Sequence, residues 1–285
     1  MGIRNRAEFG DYQTPDSLAV AVCDTLRRLK VSARSVVEPT CGEGSFLRAA
    51  VAVFPEFQRL LGFEINPGYV QSAQAIREAT VFCADFFEQD WCSTLADLPA
   101  PILVVGNPPW VTNSTIGAVG GSNLPSKSNF HHRRGIDALT GESNFDISEW
   151  MLIHLLESLS GREAALAMLC KTTVARKVLR AAWENNLQIS NARMYLINAS
   201  EHFGASVDAC LLVCLLAPGA TSDQCKVYPG LEALSSDTVF GYRAGRLVVD
   251  PDLYDSKGHL SEGVIPRPVA VGYQTRLRTG HRTAA

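Results

Sequence analysis

Asn107-Pro108-Pro109-Trp110 places, in four consecutive residues, two hydrogen-bond acceptors of fixed direction beside an aromatic plane. The Asn107 side-chain oxygen is one acceptor, and the carbonyl of Pro108, a residue with no N–H to donate, is the other. Together they can take both hydrogens of an exocyclic amine, with Trp110 supplying a flat face beside them. Each proline also fixes φ and biases the residue before it away from the α region, so the chain leaves this point extended and stiff. An Asn-Pro or Pro-Pro pair by itself is more often a turn after a strand. The chemistry therefore depends on what surrounds it.

The apolar run Pro101-Ile102-Leu103-Val104-Val105 reads as a strand buried on both faces, and it delivers Gly106 and Asn107 to a carboxyl end. In open α/β sheets that is where the ligand crevice lies. Upstream, Ser35-Val36-Val37-Glu38 reads as the first such strand, and Pro39-Thr40-Cys41-Gly42-Glu43-Gly44-Ser45 as a glycine turn opening a helix. Gly42 and Gly44 permit a ligand to approach the backbone and the helix N-terminus closely. A second strand, Leu60 to Ile65, brings Glu64 to the position, roughly 20 residues after the turn, where a carboxylate meets ribose hydroxyls. A helix is expected from Pro67 to about Glu78, then a third strand from Thr80 to Ala84 ending at Asp85-Phe86. This alternation predicts right-handed βαβ units and a doubly wound, mostly parallel sheet with helices on both faces. Glu38, Glu64, Asp85 and Asn107 then share its carboxyl ends. The turn lacks the third glycine of a dinucleotide fingerprint, and Glu43 inside it would repel a pyrophosphate, so a nucleoside without phosphate is the better fit.

The chain has 285 residues, 46% hydrophobic and 19% charged, which suits one large domain or one domain plus an appendage. With a formal net charge of −3, any nucleic-acid contact must come from a local basic surface. The eight cysteines form no C-x-x-C pair, and Cys83, Cys170, Cys210 and Cys214 sit in apolar runs, where cysteine acts as a small hydrophobe. Neither a secretory signal pattern nor an apolar run of roughly 18 residues is present. The expectation is a reducing, cytoplasmic location with no membrane association and no metal site.

On these stretches the sequence resembles the class I S-adenosylmethionine-dependent methyltransferases, and among them the DNA adenine-N6 enzymes of restriction–modification systems. Glu38-Pro39-Thr40-Cys41-Gly42-Glu43-Gly44 is similar to the family's cofactor loop, and Asp11-Tyr12-Gln13-Thr14-Pro15 to the N-terminal segment that closes over the methionine end. Asp85-Phe86 resembles the pair that meets the cofactor adenine, and Asn107 to Trp110 the catalytic motif, in the gamma-like order. The resemblance covers roughly residues 9 to 218 and implies a seven-stranded sheet whose last strands, Ile189–Ile197 and Val207–Leu216, form an antiparallel edge. It implies S-adenosyl-L-methionine held by Tyr12, Thr14, Pro15, Glu38, Pro39, Gly42, Gly44, Glu64, Ile65, Asp85, Phe86 and Asn107. It also places Asn144-Phe145-Asp146-Ile147 in the cofactor pocket. The implied catalytic residues are Asn107, Pro108, Pro109 and Trp110, acting by direct in-line methyl transfer to an extruded adenine of duplex DNA. An RNA base amine or a protein glutamine amide would offer the same planar NH2, and an inactive cofactor-binding subunit is a third possibility of another class.

Residues 1–220 are accordingly expected to form the catalytic domain. Within it, 111–143 loses periodicity and reads as a lid or insertion, with Lys127, His131, His132, Arg133 and Arg134 facing either phosphate or solvent. Residues 221–265 read as a short appendage, a remnant of a recognition region, containing a hairpin that turns at Ala244-Gly245. The basic stretch 266–285 is expected to lack packing of its own. With so little room after the catalytic part, either a separate recognition subunit completes the enzyme or the chain is a shortened relative.

Overall fold

The computed structural model describes residues 13–111 and 146–257. The expectations for Tyr12, for the insertion from 112 to 143 with its cationic cluster, for Asn144 and Phe145, and for the tail from 266 lie outside these residues.

Apolar residues at helical spacing build the first helix, α1 (Asp16–Arg28), whose Leu18, Val22 and Leu26 form a buried stripe. Asp16 and Ser17 do not cap it. Pro15 holds the N-cap position instead, and its carbonyl accepts the N–H groups of Leu18 and Ala19. Alternating strands and helices follow: β1 (Ser35–Glu38), α2 (Ser45–Val53), β2 (Arg59–Glu64), α3 (Pro67–Ala73), β3 (Thr80–Cys83), α4 (Trp91–Ala96) and β4 (Ile102–Gly106). After the undescribed insertion come α5 (Ile147–Leu159), β5 (Ala164–Lys171), α6 (Thr172–Glu184), β6 (Ile189–Ile197), α7 (Ala199–Phe203) and β7 (Ala209–Leu216). Three short strands, β8 (Gln224–Tyr228), β9 (Thr238–Arg243) and β10 (Arg246–Val249), and α8 (Pro251–Lys257) complete the described fold.

All the strands share one sheet in the order β10-β9-β8-β6-β7-β5-β4-β1-β2-β3. The block β5-β4-β1-β2-β3 is parallel throughout, and β7 runs antiparallel to both β5 and β6. The fold class is the expected one, with ten strands rather than seven. β6 is not an edge, because β8 pairs with it in parallel from Ala192↔Cys225 to Tyr195↔Tyr228. Its outer hydrogen-bonding groups are thereby satisfied, and the Tyr195 and Tyr228 rings stack at 4.5 Å. The hairpin of β9 and β10 turns at Ala244-Gly245, both at positive φ, as a tight two-residue hairpin turn requires.

The period of two along each central strand divides the core. Val36, Leu103, Val105, Ala165, Ala167 and Leu169 face one side with α1 and α2, whereas Val37, Ile102, Val104, Leu166 and Met168 face the other with α4, α5 and α6. That division decides how the segment after β4 is anchored. Trp110 belongs to the first core and the next residue, Val111, to the second, so the loop straddles the end of the sheet.

Candidate active site

Four adjacent parallel strands, β4-β1-β2-β3, bring the expected residues to one rim. Glu38 is the last residue of β1 and Glu64 the last of β2, while Asp85 follows β3 and Asn107 follows β4. The β1 and β4 ends lie close together: a Cβ added at Gly106 would stand 3.6 Å from Glu38 Cγ and 3.7 Å from Pro39 Cδ. Asn107 therefore follows directly on the strand end that lies beside Glu38.

Glu38 is 3% exposed, and its Oε2 accepts the Leu47 N–H at 3.2 Å. Burial is the main cause that pushes its carboxyl well above the usual carboxylate range, the neighbouring Glu64 charge adds to it, and the Leu47 bond opposes it. A buried acid held in this way is poised to ionise when a positive charge arrives beside it.

The turn between β1 and α2 is tied to the end of β2 and to the segment before α1. The Gly42 N–H donates to Glu64 Oε2 at 2.9 Å, and the Asn66 N–H to Glu64 Oε1 at 2.7 Å, so both carboxylate oxygens are oriented by backbone. Gly44 is the N-cap of α2 at φ 88°, and a Cβ there would come within 2.7 Å of Ile76 Cδ1. The left-handed φ is what calls for glycine there, since the Ile76 side chain can move aside. The segment before α1 packs onto this turn through Ser45 Oγ, which donates to the Thr14 carbonyl at 2.7 Å, and through Gln13 Oε1, which accepts the Glu43 N–H at 3.1 Å. Thr14 and Pro15 thus lie beside Gly42 and Gly44.

At the other end of the rim Asp85 and Phe86 separate. Asp85 Oδ1 accepts the Phe87 N–H at 2.9 Å in a local turn, whereas the Phe86 ring is buried 4.8 Å from that of Trp91. The Phe86 carbonyl also accepts the Trp91 indole N–H at 2.9 Å. Of this pair, the side chain left at the rim is Asp85. Ile65, next to Glu64, is 44% exposed and offers an apolar surface there.

The structure places the Trp110 side chain in the core. The residue is only 7% exposed, its indole N–H donates to the Leu169 carbonyl at 3.2 Å, and Phe203 meets its ring edge-on at 5.2 Å. An aromatic next to two prolines suggested a free platform, but alternation along the loop turns this side chain into the α1 and α2 core. Trp110 anchors the loop, with Phe203 at its side. Phe203 was not singled out in the sequence; it ends a five-residue helix stopped by Gly204 in the left-handed region, a helix too short to leave a periodic signal. Among the described residues, no group of three or more His, Cys, Asp or Glu side chains is placed to hold a metal, and no helix is long and apolar enough to cross a membrane.

A mostly parallel sheet with an antiparallel β7, helices on both faces and a glycine turn beside strand-end carboxylates is the fold of the class I S-adenosylmethionine-dependent methyltransferases. A Listeria monocytogenes protein described as such an enzyme superposes with a TM-score of 0.55 at 12% identity, over 77% of this chain and 67% of its own. A protein of a type I restriction–modification system superposes with a TM-score of 0.52 at 14% identity, over 81% of this chain and 49% of its own. In sequence the chain is 39% identical over 273 residues to the type II methyltransferase M.NspV of a Nostoc strain, a match spanning 90% of this chain and 56% of that protein. The chain thus spans about half the length of the curated relative it matches. No protein-family model matches it. The resemblance to the class I methyltransferases is borne out, and this kinship implies S-adenosyl-L-methionine as the cofactor.

Proposed function

We propose that the chain transfers a methyl group from S-adenosyl-L-methionine to the exocyclic N6 amine of adenine in duplex DNA. The observation that carries this reading is the placement of Asn107 at the carboxyl end of β4, directly beside the β1 end that carries buried Glu38. An amine-accepting pair thereby stands next to a site suited to a cationic nucleoside. Similarity to a type II methyltransferase supports the same reaction class.

The donor set fits that cofactor. Glu38 supplies a buried carboxylate for positive charge, Glu64 an oriented one for ribose hydroxyls, and Ile65 with Asp85 an apolar and a polar contact for the base. Gly42, Gly44, Thr14, Pro15 and Pro39 give it a backbone wall. When bound, the cofactor supplies a methyl group on a sulfonium. The chain's own residues do the rest by positioning. The Asn107 oxygen and the Pro108 carbonyl accept both N–H groups of the target amine, which draws its lone pair out of conjugation with the ring and aims it at the methyl. The loop keeps these acceptors fixed, so no reorganisation is needed as charge develops. A duplex adenine reaches them only when extruded, at a cost of a few kcal/mol.

Incubation of the full chain with labelled cofactor and, separately, duplex DNA, RNA or protein extract tests the reading. Label recovered in N6-methyladenine of duplex DNA is the expected result. Label confined to RNA or to a protein amide overturns the substrate, and label in N4-methylcytosine overturns the base. Transfer by the chain alone also makes a separate recognition subunit unnecessary; transfer only on adding such a subunit makes it a partner.

A further inference from the structure

Lys171, the last residue of β5, plays no part in the expectations drawn from the sequence, yet it touches the candidate catalytic segment. Its Nζ donates to Asp146 Oδ2 at 2.7 Å and to the Trp110 carbonyl at 3.3 Å. The Asp146 side chain is 7% exposed and that of Lys171 22%. The other Asp146 oxygen, Oδ1, caps α5 by accepting the Ser148 N–H at 3.1 Å and the Ser148 hydroxyl at 2.6 Å. One bond further on, the Ile147 N–H donates to the Val111 carbonyl at 3.0 Å. The two chain ends that flank residues 112–145 are therefore joined both by backbone and by one ammonium group.

We propose that Lys171 is a positioning residue, a clamp that holds the Asn107 to Trp110 segment against the start of α5 and so fixes the amine acceptors. A mostly buried ion pair costs desolvation and is often replaceable by apolar residues without loss of stability, so stability alone is a weak reason for it. What the pair supplies is geometry. The ammonium fixes the carbonyl of Trp110, two residues beyond that of Pro108, while Asp146 fixes the ammonium to a helix N-terminus. Misplacement of reacting groups by about 1 Å can cost on the order of a hundredfold in rate.

The inference rests on the proposed role of Asn107 and Pro108, and its test has one arm that does not. Lys171→Met is expected to lower kcat by about tenfold to a hundredfold with the KM for cofactor changed little. It is also expected to speed amide hydrogen exchange at Ile147. The variant leaves Asp146 as an uncompensated buried charge, so the double variant Lys171→Met with Asp146→Asn is needed; Asn keeps an N-cap acceptor but no charge. The double variant is expected to recover the melting temperature of the parent without recovering turnover or slow Ile147 exchange, because the Trp110 carbonyl still lacks its donor. Recovery of both, or parental turnover and exchange in Lys171→Met, overturns the clamp. Should the parent transfer no methyl to any substrate, the proposed function fails, and exchange at Ile147 in the two variants still decides the clamp.

Discussion

The Gly42 N–H donates to Glu64 Oε2, tying the turn after β1 to the end of β2. With the Asn66 N–H on Oε1, each oxygen of Glu64 faces a backbone donor. Glu64→Gln is therefore not conservative. Its amide NH2 must face either the Gly42 or the Asn66 N–H, donor against donor. Cofactor affinity is expected to fall about tenfold or more, roughly 1.4 kcal/mol, with a small loss of stability. Isothermal calorimetry with S-adenosyl-L-methionine measures it; unchanged affinity removes Glu64 from the site.

Glu38 gives a pH signature. In the fold its carboxyl lies above the usual range because burial disfavours the charge. Between the unfolded value and the raised folded value, the native chain holds a proton that the unfolded chain has released, so stability falls as pH rises through that interval and levels off above it. Glu38→Gln is expected to flatten this dependence in denaturant titrations across pH. A bound positive charge draws the Glu38 value down, so cofactor binding is expected to release a proton and to tighten as pH rises within the interval. Calorimetry in two buffers of different protonation enthalpy reads that proton, and identical heats would contradict it.

Trp110 is expected to act on stability before it acts on substrate. Trp110→Ala empties a core position and should cost about 3–5 kcal/mol in denaturant unfolding. Trp110→Phe keeps the contact with Phe203 and loses the bond to the Leu169 carbonyl, at about 1 kcal/mol. Unfolding of Trp110→Ala at the parental denaturant concentration would restore the platform first expected from the sequence.

The parts of the fold that were legible share a physical reason. β4 and β7 are continuous apolar runs because they are covered on both faces, and such runs stand out in sequence. β8 is short and buries Cys225 and Tyr228 three residues apart rather than in alternation, so nothing separates it from a loop until β6 offers its edge. The glycine turn and the strand-end acids were legible through spacing. The direction of the Trp110 side chain was not, since residue type in a loop does not say which core it enters. Nor was the Lys171 to Asp146 bond, which joins residues 25 apart, one at the start of α5 and the other at the end of β5. A lysine closing an otherwise apolar strand was the available signal.

The central assignment is that Asn107 accepts a hydrogen from the target amine. Asn107→Ala deletes that acceptor while Pro108 and Pro109 keep the backbone shape, so folding and cofactor affinity are expected to survive. Loss of one preorganised polar partner commonly costs about a hundredfold or more in turnover, roughly 3 kcal/mol. Asn107→Asp, which keeps an acceptor oxygen, is expected to lose less. The direct measurement is single-turnover methyl transfer to adenine in duplex DNA by the parent and by Asn107→Ala, both saturated with cofactor. A rate at least about a hundredfold lower in the variant, with an unchanged melting temperature, is the expected result; transfer at the parental rate would contradict the assignment and leave Asn107-Pro108-Pro109 as a turn at the end of a strand.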